Sequence, residues 1–107
     1  MRILIDECMN PRVRAAFANH HVKTVVEMGW GGITNGELPT RAEQSFDVLV
    51  TIDQNIEYQQ NTNQRKLGFV VVKVPDNKIG YYEPIFVEMR NAAERVQPGK
   101  IVHVSRI

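Results

Sequence analysis

The chain has 107 residues and a formal net charge of +1, with 13 Lys and Arg against 12 Asp and Glu. That length fits one domain with a single core, and the near-neutral balance excludes a general attraction to nucleic acid, so any such binding needs a local basic patch. A lone cysteine, Cys8, excludes an internal disulfide and fits a reducing compartment. The apolar start of "MRILIDE" ends at Asp6, too early for a signal peptide, and no later run is long enough to span a bilayer; the expectation is a soluble cytoplasmic protein with no membrane partner.

In chain order, "RILI" (2–5) predicts a short strand that stops at Asp6. "PRVRAAFANH" (11–20) predicts a helix, with Pro11 in its first turn and Val13, Ala16 and Phe17 at helical spacing. The β-branched "VKTVVEM" (22–28) predicts a second strand, and the Gly-rich "GWGGITNGE" (29–37) a loop. A helix is expected from an Asn35 N-cap, through Pro39 in its first turn, to about Gln44. "FDVLVTI" (46–52) reads as the third strand, "IEYQQNTNQ" (56–64) as a short helix or irregular segment, and the nearly all-apolar "GFVVVKV" (68–74) as a fourth strand covered on both faces. The amphipathic helix expected over 81–96 carries Ile85, Met89, Ala92, Ala93 and Val96 on one face, and "KIVHVSRI" (100–107) closes the pattern as a strand.

Strands alternating with helices predict a three-layer α/β domain around a mostly parallel five-stranded sheet. Right-handed crossovers and the most apolar strands at the centre give the order 2-1-3-4-5. The switch point of such a sheet lies between its first and third strands, and ligands bind at the carboxyl ends there. Asp6 and Glu7 follow one of those strands and Asp53 the other, while Glu37 opens the second helix. Converging carboxylates repel unless a cation or proton intervenes, and hard oxygen ligands suit Mg²⁺ or Mn²⁺. The same residues read equally well as solvated loop acids or helix caps, and both readings stand on spacing alone.

"ILIDECMNPRV", the Gly-rich loop leading into "NGELP", and "VLVTIDQNI" together resemble the PIN-like domain family, in its small stand-alone branch with the pattern "LLDE…P" and "VLVTxDxDF". The resemblance runs to about Val74. It implies a metal-dependent ribonuclease acting on RNA, many small members being toxins that pair with a protein antitoxin. By position, Asp6, Glu37 and Asp53 would be the catalytic, metal-binding acids and Thr51 would support them through its hydroxyl. The chain departs from the pattern where the second acid of "TxDxDF" is Asn55, and where the acid before the second helix is Asn35. Each amide keeps an oxygen but removes a charge, so weak metal affinity is expected.

Arg12, Arg14 and Arg41 are candidates for phosphate contact, against a reading as exposed helix charges, with Arg41 one turn from Glu37 and able to pair with it. Trp30 could stack on a base or pack down on the domain. His20, His21 and His103 show no metal-ligand spacing, and Cys8 reads as a small packed residue without an activating neighbour. "YQQNTNQRK" (58–66) is either a surface loop or an RNA-contacting edge. Three functions compete: the ribonuclease, a binding module that kept the fold without turnover, and a receiver-like phosphoacceptor. The last expects a Lys-Pro after the fifth strand, where this chain has Ser105-Arg106-Ile107. A homo-oligomer is compatible with any of them.

Overall fold

The computed structural model describes residues 1–34, 36–56 and 62–106. Five strands, β1 (Arg2–Ile5), β2 (His21–Thr24), β3 (Val48–Thr51), β4 (Gly68–Lys73) and β5 (Ile101–Ser105), form one sheet in the order β2-β1-β3-β4-β5. Every pairing is parallel, so the predicted α/β sheet and its order are present, fully parallel. Side chains alternate across it. Ile3, Ile5, Val48, Val50, Val70 and Val72 enter one buried cluster, and Leu4, Leu49, Phe69 and Val71 enter another. Coverage of both faces is why these strands read as continuous apolar runs.

The first cluster is closed by the 3₁₀ helix Pro11–Phe17 and by the 10-residue helix Phe86–Arg95; the second by the helix Leu38–Ala42. Among the described residues the α-helices are, in chain order, α1 (Leu38–Ala42), α2 (Ile79–Tyr82) and α3 (Phe86–Arg95). Several expected boundaries shift for local reasons. The first helix is a 3₁₀ run, started by Asn10, whose side chain accepts the Arg12 N–H at 3.0 Å. In that geometry residues three apart eclipse, which puts Val13 and Ala16 together in the core. The second strand stops at Thr24 rather than running to residue 28. Thr24 and Glu27 close a turn there, each side chain accepting the other's backbone N–H, at 2.9 and 3.1 Å. The second helix spans Leu38–Ala42, and Thr34 precedes it as the acceptor of the Leu38 N–H (3.0 Å). Asn35, the expected N-cap, lies outside the described residues, as do 57–61 of the expected irregular segment and Ile107 of the last strand.

The third strand begins at Val48, not 46, because the Phe46 N–H still returns to Ala42 O at 2.8 Å. The helix expected over 81–96 starts earlier and is interrupted. Pro84 has no N–H to give, so a 3₁₀ turn at Glu83–Ile85 separates α2 from α3. Ile85, Met89, Ala92 and Ala93 are buried on its inner face as the spacing predicts, with Val96 packed partly against them.

One crossover departs from the expected handedness. Pro11–Phe17 carries the chain from β1 outward to β2, and α2 with α3 carries it from β4 outward to β5, in the opposite lateral direction. Both segments cover the same face and pack on each other. The two connections therefore have opposite hands, against the strong general preference for one.

At the amino edge, Asp47 fastens three strands. Its backbone N–H reaches Arg2 O at 2.8 Å, its carbonyl accepts the Gly68 N–H at 2.9 Å, and its carboxylate accepts the Arg2 N–H at 2.8 Å and guanidinium at 3.2 Å. The Arg2 N–H, and then its guanidinium, hold the Asp47 carboxyl below the usual range against some desolvation. A depressed carboxyl gives stability that is present above its unfolded pKa and lost as pH falls through its folded one. Asp47→Asn is thus expected to be less stable than wild type at neutral pH, with the gap closing below about pH 4, as measured by urea melts across that range. Gly68 makes a second check: a Cβ there would lie 2.8 Å from Val96 Cγ1 and 3.4 Å from the Gln97 carbonyl oxygen. Val96 is β-branched and stiff, so Gly68→Ala should cost about 1–3 kcal/mol, the usual range for overpacking, in the same melts.

Candidate functional site

The carboxyl ends of β1 and β3 are joined by one buried hydroxyl. Thr51, the last residue of β3, is fully buried, and its Oγ1 donates to Asp6 Oδ2 at 2.7 Å. The same oxygen accepts the Asp53 N–H at 3.0 Å. Asp6 extends the ladder beyond β1, its N–H reaching Val50 O at 3.0 Å, and its other carboxylate oxygen accepts the Glu7 N–H at 2.8 Å. Asp6 is only 5% exposed, so each of these bonds offsets desolvation of a charge. Asp53 closes a side-chain turn, its Oδ1 accepting the Asn55 N–H at 3.0 Å. Asp6, Glu7, Cys8, Ile52 and Asp53 line an open cleft of about 370 Å³ at this switch point.

Loops around the cleft are tied down by polar side chains. The Glu7 carboxylate accepts the Gly32 N–H at 3.2 and 3.3 Å, which pins the Gly-rich loop beside the site. Gln54 Nε2 donates to Ile52 O (2.9 Å) and Val72 O (2.8 Å), bracing the segment that carries Asp53 against β4. Asn77 braces the other loop: its Nδ2 donates to Cys8 O at 3.0 Å, and its Oδ1 accepts the Asn10 N–H at 2.8 Å and the Tyr82 hydroxyl at 2.6 Å. Burial, and then the charges of Cys8 and Asp76, push the Tyr82 hydroxyl up to about 12, so it stays a donor.

The predicted residues divide accordingly. Asp6, Asp53 and Glu7 share the cleft, and the Thr51 hydroxyl bonds Asp6. Asn55 is exposed and contributes its backbone N–H. Glu37 is not among the residues lining that cleft; it is exposed and paired with Arg41 at 3.2 Å, one helical turn away. Such a pair contributes a few tenths of a kcal/mol. Among the described residues no group of three or more His, Cys, Asp or Glu is arranged to hold a metal ion. Arg14 is engaged by Glu27 at 2.9 Å and by Val22 O at 3.2 Å, and Arg12 is exposed. Trp30 packs against the second core cluster, edge-on to Phe46 with centroids 6.1 Å apart.

Cys8 is a correction. It is exposed at the cleft rather than packed away, with Sγ 3.6 Å from Thr51 Oγ1. Desolvation of the sulfur, and then the neighbouring Asp6 charge, raise the thiol's pKa, which opposes thiolate chemistry. Of the residues that brace the site, Gln54 sat inside the "DQN" motif, where its amide gave a signal. Asn77 did not: "PDNK" reads only as a turn, and nothing local indicates that it reaches back to residues 8 and 10.

Thr51→Val keeps the shape and removes the hydroxyl. It removes the Thr51 bond to the buried Asp6 carboxylate and leaves that of the Glu7 N–H; the loss costs about 1.5–3 kcal/mol. Thermal melts should show a fall of roughly 10 °C for a domain of this size, and a change within error would mean that Asp6 is otherwise satisfied.

No family model, no curated protein and no solved structure matches this chain.

Proposed function

We propose that the protein is a metal-dependent endoribonuclease centred on Asp6 and Asp53. The observation that carries the reading is that these two carboxylates, from the two central strands, line one cleft at the sheet's switch point. The donors are hard oxygens, and Mg²⁺ is commonly held by one or two carboxylates with the remaining positions filled by water. Asp6 and Asp53 would hold Mg²⁺ or Mn²⁺ weakly, with Glu7 at the rim. The bound ion would supply an activated water and charge stabilisation at a phosphodiester.

The chain's own residues prepare this cleft. The Thr51 hydroxyl and the Glu7 N–H fix the orientation of the Asp6 carboxylate, and each of its oxygens keeps a further lone pair. The Asn55 N–H limits rotation of Asp53. Glu7, held by Gly32, keeps the Gly-rich loop against the rim. An RNA substrate, an antitoxin partner and a toxin's role belong to this proposal and follow from the resemblance to PIN-like domains. A second reading, a binding module without turnover, is favoured by the engagement of Glu37 with Arg41 outside the cleft.

Asp53→Asn separates the readings. Asn preserves the turn and removes one of two neighbouring negative charges, so the metal-free variant should melt at or above the wild-type temperature. Wild type should gain stability with Mn²⁺, by about 2.7 kcal/mol at one hundred times Kd. The variant should lose that gain together with cleavage of mixed RNA. Metal response and cleavage that survive in the variant would leave Asp53 a turn residue and the nuclease reading without its centre; a metal response without cleavage in wild type would select the binding module.

A further inference from the structure

We infer that the acid cleft continues as a track for single-stranded RNA across the carboxyl ends of the strands, with Lys73 and Arg106 holding the phosphate backbone at its β4–β5 end. This rests on the ribonuclease reading and extends it to residues outside the acid cleft. The track is built of adjoining clefts with shared walls. The acid cleft and the next one share Ile52; that second cleft, about 300 Å³, includes Gln54 and Asn77 and shares Lys73 and Val74 with a third, about 330 Å³, bounded by Pro75, Ser105 and Arg106. Its course follows from the parallel sheet, since every strand ends on this edge.

Charge changes sign along it. Asp6 and Asp53 stand at β1 and β3, whereas Lys73 and Arg106, both exposed, stand at β4 and β5. The two cations are brought together by the ladder, the Arg106 N–H reaching Lys73 O at 2.8 Å. Asp76, which lines the middle cleft, is paired with Lys78 at 3.6 Å. Two strand spacings separate the acid pair from the basic pair, roughly 10 Å, so a single strand engaging both must extend over more than one nucleotide. Val74 and Pro75 give the basic end an apolar wall against which a base or sugar can lie. Lys offers phosphate a point charge and Arg a fork. The chain as a whole is close to neutral, so attraction for a polyanion must come from such a local pair. The acid centre repels a phosphodiester and an acidic peptide alike until a cation neutralises it, so competition by polyglutamate separates the two.

The test is binding of a short fluorescein-labelled oligouridine by anisotropy, in chelator so that no cleavage occurs, across a salt series. Lys73→Gln and Arg106→Gln should each weaken binding and reduce the slope of log K against log salt by about 0.7, the value for one phosphate contact on a single strand, and the double variant by about twice that. Lys100→Gln is the control: it is an exposed cation just before β5, at the opposite edge of the sheet, and should leave the slope unchanged. Urea melts confirm that each variant is folded. No binding by wild type, equal slopes in all variants, an equal effect of Lys100→Gln, or equal competition by polyglutamate would each overturn the track. The two proposals fail separately. Unchanged slopes with intact, Asp53-dependent cleavage remove the track alone, whereas altered slopes with cleavage indifferent to Asp53→Asn remove the acid centre and leave the track.

Discussion

A carboxylate that leaves water must find donors, and in this protein that requirement joins the ends of two strands. Asp6 is almost entirely buried, and its principal side-chain partner is a hydroxyl 45 residues away in the chain. Thr51 meets that need and in the same position receives the Asp53 N–H. One oxygen thus sets the register between the ends of β1 and β3 and the departure of the segment after β3. The opening of the cleft follows from this: the chain after β3 is drawn toward Asp6 instead of continuing straight, and Asp53 comes to the same rim.

The surrounding loops repeat the device with neutral groups. Gln54 spends its amide hydrogens on two carbonyls, and Asn77 collects donors from two other segments. Each replaces backbone pairing that irregular segments lack. The result is a site whose walls are held largely by amides and hydroxyls. Fixed loops suit preorganisation, and the acids contribute to them, Asp6 accepting the Glu7 N–H and Asp53 the Asn55 N–H. Glu7 is likewise both rim acid and anchor for Gly32.

Much of the fold was legible because both sheet faces are covered. Buried parallel strands leave uninterrupted apolar runs, and "VLV" and "FVVV" could be placed at the centre without knowing any contact. Boundaries were less legible where side chains end elements. The turn made by Thr24 and Glu27 interrupts a run that β-branched composition alone would extend. Pro84 gave a visible signal that the helical spacing around it obscured. The opposite hand of the β4–β5 connection could not be read, since alternation assigns residues to two faces without saying which face a long connection crosses. Within the site, the placing of Asp53 beside Asp6 followed from strand order, whereas the part played by the Thr51 hydroxyl came only from the resemblance. The position of Glu37 did not, because a local pair with Arg41 competes with convergence on the cleft and sequence spacing is compatible with both.

An all-parallel sheet also sorts the two ends of the polypeptide. The amino group of Met1 lies at the amino edge, 3.3 Å from His20 Nδ1, whose other ring nitrogen is 2.7 Å from Glu94. At the other end Arg106 is stitched to Lys73 on the edge that carries the clefts. Arg106 thus lies on the edge that carries the clefts and Met1 on the opposite edge of the sheet. Affinity tags, fluorescent fusions and surface tethers therefore belong at the amino end, where their bulk is kept away from the clefts by the thickness of the domain. A tag at the carboxyl end would be tethered beside the clefts at high local concentration.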